Sequence, residues 1–148
     1  MLKLKQEELA VKAGIKRSVL QVLEDANREL PETKVLEKLR ALLEAEGLEF
    51  LEATESQGDG IRWQKPTGAS WVDQLRHARL MLGMTLDELA EKSDVSKYTI
   101  LRLESGTIKR RRETAAREVR KALAEHGAII DPESRDAGAG VRARVKSK

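Results

Sequence analysis

The sequence contains no cysteine, which excludes disulfides and cysteine-ligated zinc. Aromatic residues are nearly absent, with two Trp, one Tyr and one Phe among 148 residues. Any core must therefore be filled with Leu, Ile, Val and Ala, a composition that suits small helical units. Proline occurs only three times. No apolar run approaches the roughly 18 residues of a membrane span, and the opening residues MLKLKQEEL offer no signal-peptide core. The expectation is a soluble cytoplasmic protein without a membrane partner. What the chain does have is charge: 36% of it is Asp, Glu, Lys or Arg, as in short helices with one solvated face. The net charge is only +3, but it is unevenly placed. Residues 1–70 hold 11 Lys and Arg against 13 Asp and Glu, whereas residues 71–148 hold 17 against 12. An acidic half beside a basic half implies that the two do not share one surface task.

Sliding the chain against itself by 80 residues exposes a repeat. Glu8-Leu9-Ala10 falls on Glu88-Leu89-Ala90, Lys12 on Lys92, Leu23-Glu24 on Leu103-Glu104, and Arg40 on Arg120. The register continues through Leu43 and Leu123, Gly47 and Gly127, to a G-x-G-[IV]-R run at residues 58–62 and 138–142. One ungapped register over about sixty residues points to an internal duplication. Residues 71–83 precede the matched region of the second copy and have no counterpart after Met1. The first copy is therefore expected to be truncated, lacking its first helix.

The complete copy is expected to begin with a helix over residues 71–82, with Val72, Leu75, Ala78 and Leu82 at helical spacing and Gly83 as a stop. Thr85 and Glu88 fit a capping box for the next helix, which breaks at Ser93-Asp94-Val95. Ser96 is placed to cap a third helix over 97–104, with Ile100 and Leu103 inward and Lys97, Tyr98, Leu101 and Arg102 on the other side. Beyond a basic stretch, a fourth helix is expected over 114–125, with Val119 and Leu123 inward. The period then changes to two. Ala128 and Ile130, then Val141, Ala143 and Val145, read as two short strands; Leu48, Phe50, Ile61 and Trp63 repeat them in the first copy. An isolated hairpin is marginal in water, so each must pack on helices or pair with another chain.

This sequence resembles the phage repressor and Cro type of helix-turn-helix, the XRE family. The residues that carry the resemblance are Leu75-Arg76-x-x-Arg79, Leu82-Gly83-Met84-Thr85, Glu88-Leu89-Ala90 and Val95-Ser96-x-x-Thr99-Ile100-x-Arg102-Leu103-Glu104-x-Gly106. The first copy shows Gln6-Glu7-Glu8-Leu9-Ala10, Ala13-Gly14-Ile15, Leu23-Glu24 and Pro31. The resemblance implies a mainly α fold of two lambda-repressor-like helix-turn-helix units, each followed by a short β-hairpin, over residues 1–66 and 67–148. It implies a sequence-specific DNA-binding transcriptional regulator of the repressor type. The helix near residues 97–104 would lie in the major groove, with Lys97, Tyr98 and Arg102 towards base edges and Ser96 and Thr99 near phosphates or the groove wall. Lys109, Arg110, Arg111 and Arg112 would touch phosphates and carry salt-dependent affinity. By the same offset, Arg17, Ser18 and Gln21 are the candidate DNA contacts of the first copy, beside Val22.

Some residues depart from that pattern and keep a second reading open. Asp94 stands where the turn ordinarily takes glycine, Lys16 where a capping hydroxyl belongs, and Leu86, Leu101 and Val22 where polar DNA contacts are expected. The three apolar residues motivate the alternative of a protein-interaction module, such as an antitoxin-like partner of a toxin. Lys109 to Arg112 also fit an ordinary solvated loop, and Trp63 and Trp71 fit core cover. His77 and His126 are far apart with no ligand-spaced companions, so no metal site is expected. There is no nucleophile with a nearby base and no phosphate-binding glycine loop, so neither enzyme activity nor a cofactor is expected. The expected partners are double-stranded DNA, with a second copy of the chain or another protein as further candidates.

Overall fold

A computed structural model describes residues 2, 4–25, 33–107 and 113–145. The expectations placed on Pro31 and on Lys109, Arg110, Arg111 and Arg112 lie outside the described residues. The chain divides into two compact units, Met1–Leu48 and Glu49–Lys148. Among the described residues no helix is long and apolar enough to cross a membrane.

The first unit contains α1 (Gln6–Ala13), α2 (Arg17–Glu24) and α3 (Thr33–Ala45). Ala10, Ala13 and Leu20 are its buried apolar residues on α1 and α2. Glu8 folds back on the start of α1 and accepts from the Lys5 backbone N–H at 3.0 Å. Lys16 precedes α2 and supplies no side-chain cap, since a lysine can only donate.

The strand β1 (Leu48–Leu51) leads into β2 (Gly60–Trp63) of the second unit. A 3₁₀ turn over Trp71–Gln74 then opens into α4 (Leu75–Met81), so the expected helix over 71–82 is tighter in its first turn. Next come α5 (Leu86–Ser93), α6 (Lys97–Glu104), α7 (Glu113–Glu125), β3 (Ala128–Asp131) and β4 (Gly140–Ala143). The core joins all four helices to the sheet: Leu75, Leu89, Ile100, Val119 and Leu123 are each 0% exposed. Complete burial of such a side chain is worth roughly 1.5–3 kcal/mol. Trp71 packs against this core, with the Arg120 guanidinium 4.9 Å from its ring centre.

The hairpins do not stand alone. They join in one sheet of order β1-β2-β4-β3, with β4 antiparallel to both β2 and β3. Within the β2–β4 ladder, Gly60 faces Arg142, Ile61 faces Val141, and Arg62 faces Gly140. The two hairpin turns close alike: Gln57 N–H donates to Thr54 Oγ1 at 3.1 Å, and Ala137 N–H to Ser134 Oγ at 3.1 Å. The strand ends earlier than its alternation predicts. Ala143 is its last paired residue, opposite Ala128, and Val145 lies beyond the ladder at 39% exposure.

Candidate nucleic-acid interface

Two helices and the turn between them position the candidate contacts. The start of α5 is fixed by reciprocal capping: Glu88 N–H donates to Thr85 Oγ1 at 3.2 Å, and Thr85 N–H donates to Glu88 Oε2 at 2.7 Å. The backbone and hydroxyl hydrogen bonds from Thr85 hold the Glu88 carboxyl below the usual carboxylate range. The helix is stopped by Asp94, which adopts a left-handed backbone at φ +54°. Ser96 then caps α6, accepting from the Thr99 N–H at 3.2 Å.

Behind this pair, Arg79 of α4 binds Glu104 of α6 through two parallel hydrogen bonds, Nε to Oε1 at 2.7 Å and Nη2 to Oε2 at 2.9 Å. Its Nη1 donates to the Met84 carbonyl at 2.8 Å. Both side chains are nearly buried, at 10% and 4% exposure. The hydrogen bond to Glu104 raises the Arg79 pKa above its already high ordinary value. The fork geometry ties α6 rigidly to α4 and to the loop before α5.

The outer face of α6 is bare. Ile100 and Leu103 are buried, while Lys97, Tyr98, Leu101 and Arg102 are exposed, Tyr98 at 77%. Among the described residues the Arg102 side chain has no hydrogen-bond or ion-pair partner. Lys97 is differently placed, because its Nζ sits 2.7 Å from Asp87 Oδ2 at the start of α5. Thr99 does not share the open face: it is 8% exposed and its hydroxyl lies 2.8 Å from Ser96 Oγ. Thr99 packs beside the Ser96 cap at the start of α6. Leu86 and Leu101, with Arg76, Arg79, Glu104 and Ser105, line an open pocket of about 260 Å³ at the edge of this face.

The first unit repeats the arrangement in part. Arg17, Ser18 and Gln21 are exposed on α2, and Val22 is half-buried. Arg17 Nη1 lies 2.6 Å from Glu7 Oε1, as Lys97 lies beside Asp87 eighty residues later. Gly14 has φ +66° at the place of Asp94. Glu24, which occupies the place of Glu104, is bonded to Gln6 Nε2. The acidic partners Asp87 and Glu7 were not candidates from sequence. The available signal was an acidic residue ten positions before the basic one in both halves.

A capped helix, a three-residue turn with a left-handed residue, and a second capped helix with one buried and one bare face define a helix-turn-helix domain. Comparison with known families agrees: residues 75–123, from the start of α4 to Leu123 in α7, match the family model described as Helix-turn-helix. Neither the curated proteins nor the solved structures gave a match.

Proposed function

We propose that this chain is a sequence-specific DNA-binding transcriptional regulator of the repressor type, with α6 as the helix that enters the major groove. One observation carries the reading. The bare face of α6 presents an unpaired Arg102 next to Tyr98 and Lys97, on a helix whose other face is locked by Ile100, Leu103 and the Arg79–Glu104 fork. Arg102 is suited to guanine, whose two major-groove acceptors match its planar donors. Lys97 and Tyr98 are suited to base edges beside Arg102, Ser96 to a phosphate at the groove edge, and the basic stretch from Lys109 to Arg112 would add salt-dependent affinity. The excess of positive charge in residues 71–148 favours this half as the reader. The first copy, acidic and with Val22 at a reading position, is read as a packing or pairing module that retains Arg17, Ser18 and Gln21.

Selection of bound sequences from random duplex DNA tests this reading. An enriched motif is expected, and Arg102→Ala should weaken the selected site by about 1–3 kcal/mol while leaving unselected DNA little affected. Equal binding of both DNAs by parent and variant would refute base readout.

A second reading is favoured by the apolar edge of the same face. Leu101 is 48% exposed and, with Leu86, lines the open pocket. An antitoxin-like protein partner would use that edge. Leu101→Ala would then abolish partner binding while sparing DNA affinity.

A further inference from the structure

The β2–β4 ladder has a symmetry that the fold does not require. Each residue of β2 has a counterpart in β4 eighty positions later: Gly60 and Gly140, Ile61 and Val141, Arg62 and Arg142. The ladder pairs them about a point. Ile61 faces Val141, its own counterpart, while Gly60 faces Arg142 and Gly140 faces Arg62. Exchanging the strands leaves the pattern unchanged. The flanking hydrogen bonds obey the same exchange: Gly58 N–H donates to the Ala143 carbonyl at 3.0 Å, and Gly138 N–H to the Trp63 carbonyl at 3.0 Å. Ala143 N–H donates to the Asp59 carbonyl at 2.8 Å, and Trp63 N–H to the Ala139 carbonyl at 3.2 Å. This is the signature of an isologous interface, in which one patch recognises itself.

The glycines of the repeated run make the contact possible. A Cβ on Gly60 would lie 2.6 Å from the Val141 carbonyl oxygen, and one on Gly140 would lie 2.5 Å from that of Ile61. At Gly58 it would meet the Ala143 oxygen at 2.5 Å, and at Gly138 the Trp63 Cβ at 2.4 Å. All four glycines are therefore demanded by the close approach of the two hairpins, Gly60 and Gly140 at the start of the strands and Gly58 and Gly138 two residues before. Neither hairpin needs that glycine pair for its own turn, which Thr54 and Ser134 close.

We infer that β4 is a self-pairing surface whose natural occupant is a strand of its own sequence pattern. The chain supplies that occupant internally as β2, and a second copy of the chain fills the place when β2 is removed. In the sheet order β1-β2-β4-β3, loss of β2 frees the edge of β4 and nothing else of that strand. Two free β4 edges would then pair antiparallel with Val141 against Val141. The inference does not depend on DNA binding, and its test contains no DNA.

The absence of cysteine allows a clean experiment in the full chain. Gly58→Val with Gly60→Val disables β2 while leaving Gly138 and Gly140 in place. Val141→Cys is added to this background and to the parent, with Glu55→Cys as a control at an exposed turn position. Under slow oxidation the disabled background should form about ten-fold more Val141→Cys disulfide dimer than the parent background, because directly opposed strand residues lie within disulfide reach. The Glu55→Cys control should show no such rise. A folded variant that stays monomeric, or that crosslinks equally at residue 55, would overturn the inference. If helical circular dichroism is lost, the milder Gly60→Ala is used in its place. Loss of fold there too would also overturn it, because the ladder would then be inseparable from the fold.

Discussion

Asp94 is the only non-glycine residue with positive φ among the described residues, and Gly14 holds the corresponding position in the first unit. A left-handed backbone costs an ordinary L-residue about 1–2 kcal/mol, and aspartate less because its short polar side chain bonds locally. Asp94→Gly should therefore leave urea stability unchanged or raise it by up to about 1 kcal/mol, whereas Asp94→Val should lower it by more than about 1 kcal/mol. The Arg79–Glu104 fork is a stronger constraint. Arg79→Met strands a carboxylate that is 4% exposed and should cost about 3–5 kcal/mol in urea unfolding, most of it recovered when Glu104→Met is added. Asp87 acts in the opposite sense on function. Its carboxylate holds Lys97 at 2.7 Å and would repel phosphate, so Asp87→Asn should tighten DNA binding at low salt, read as a steeper salt dependence. The caps at Thr85 and Ser96 were legible in sequence because they join residues three apart. The Arg79–Glu104 fork spans 25 residues, and residue types alone do not reveal a pairing over that distance.

At the scale of elements, α5 and α6 follow from local signals, an alternation of caps, apolar spacing and a turn residue. The inward turn of Thr99 did not follow, because the Ser96 hydroxyl serves both as cap and as its side-chain neighbour. The strands were legible from their alternation, but their pairing was not. Period-two patterning fixes which face is buried, and it is silent about which edge meets which. Helix α4 carries a pH-sensitive group. Burial, with the Arg76 charge nearby, lowers the His77 pKa from 6.5 to about 4. The folded state therefore favours neutral His77, and the unfolded state takes up the proton first as pH falls. Its contribution is complete above about pH 6.5 and is lost on acidification towards pH 4. After allowance for solvent screening at this partly exposed site, the loss should be about 1–2 kcal/mol. The urea stability of the parent relative to His77→Gln should fall across that interval and stay level above it; a flat difference from pH 7 to pH 4 would contradict the burial.

At the scale of the molecule, the charge asymmetry is plain in the sequence, and it suggests a division of labour between the halves. The basic half contains the Helix-turn-helix match over residues 75–123, the exposed Tyr98 and an exposed Arg102 whose side chain has no partner among the described residues. What the sequence conceals is that β2 takes β4 as its partner, since only the register Ile61 to Val141 shows it. The central claim, that α6 reads base sequence, is most directly tested by measuring affinity for a selected duplex and a scrambled one, at two salt concentrations, for the parent and Arg102→Ala. The account predicts that the parent prefers the selected duplex at both salts, and that Arg102→Ala loses about ten-fold or more of that preference with little change on the scrambled duplex. A parent that binds both duplexes alike, or a variant that keeps the full preference, would contradict it.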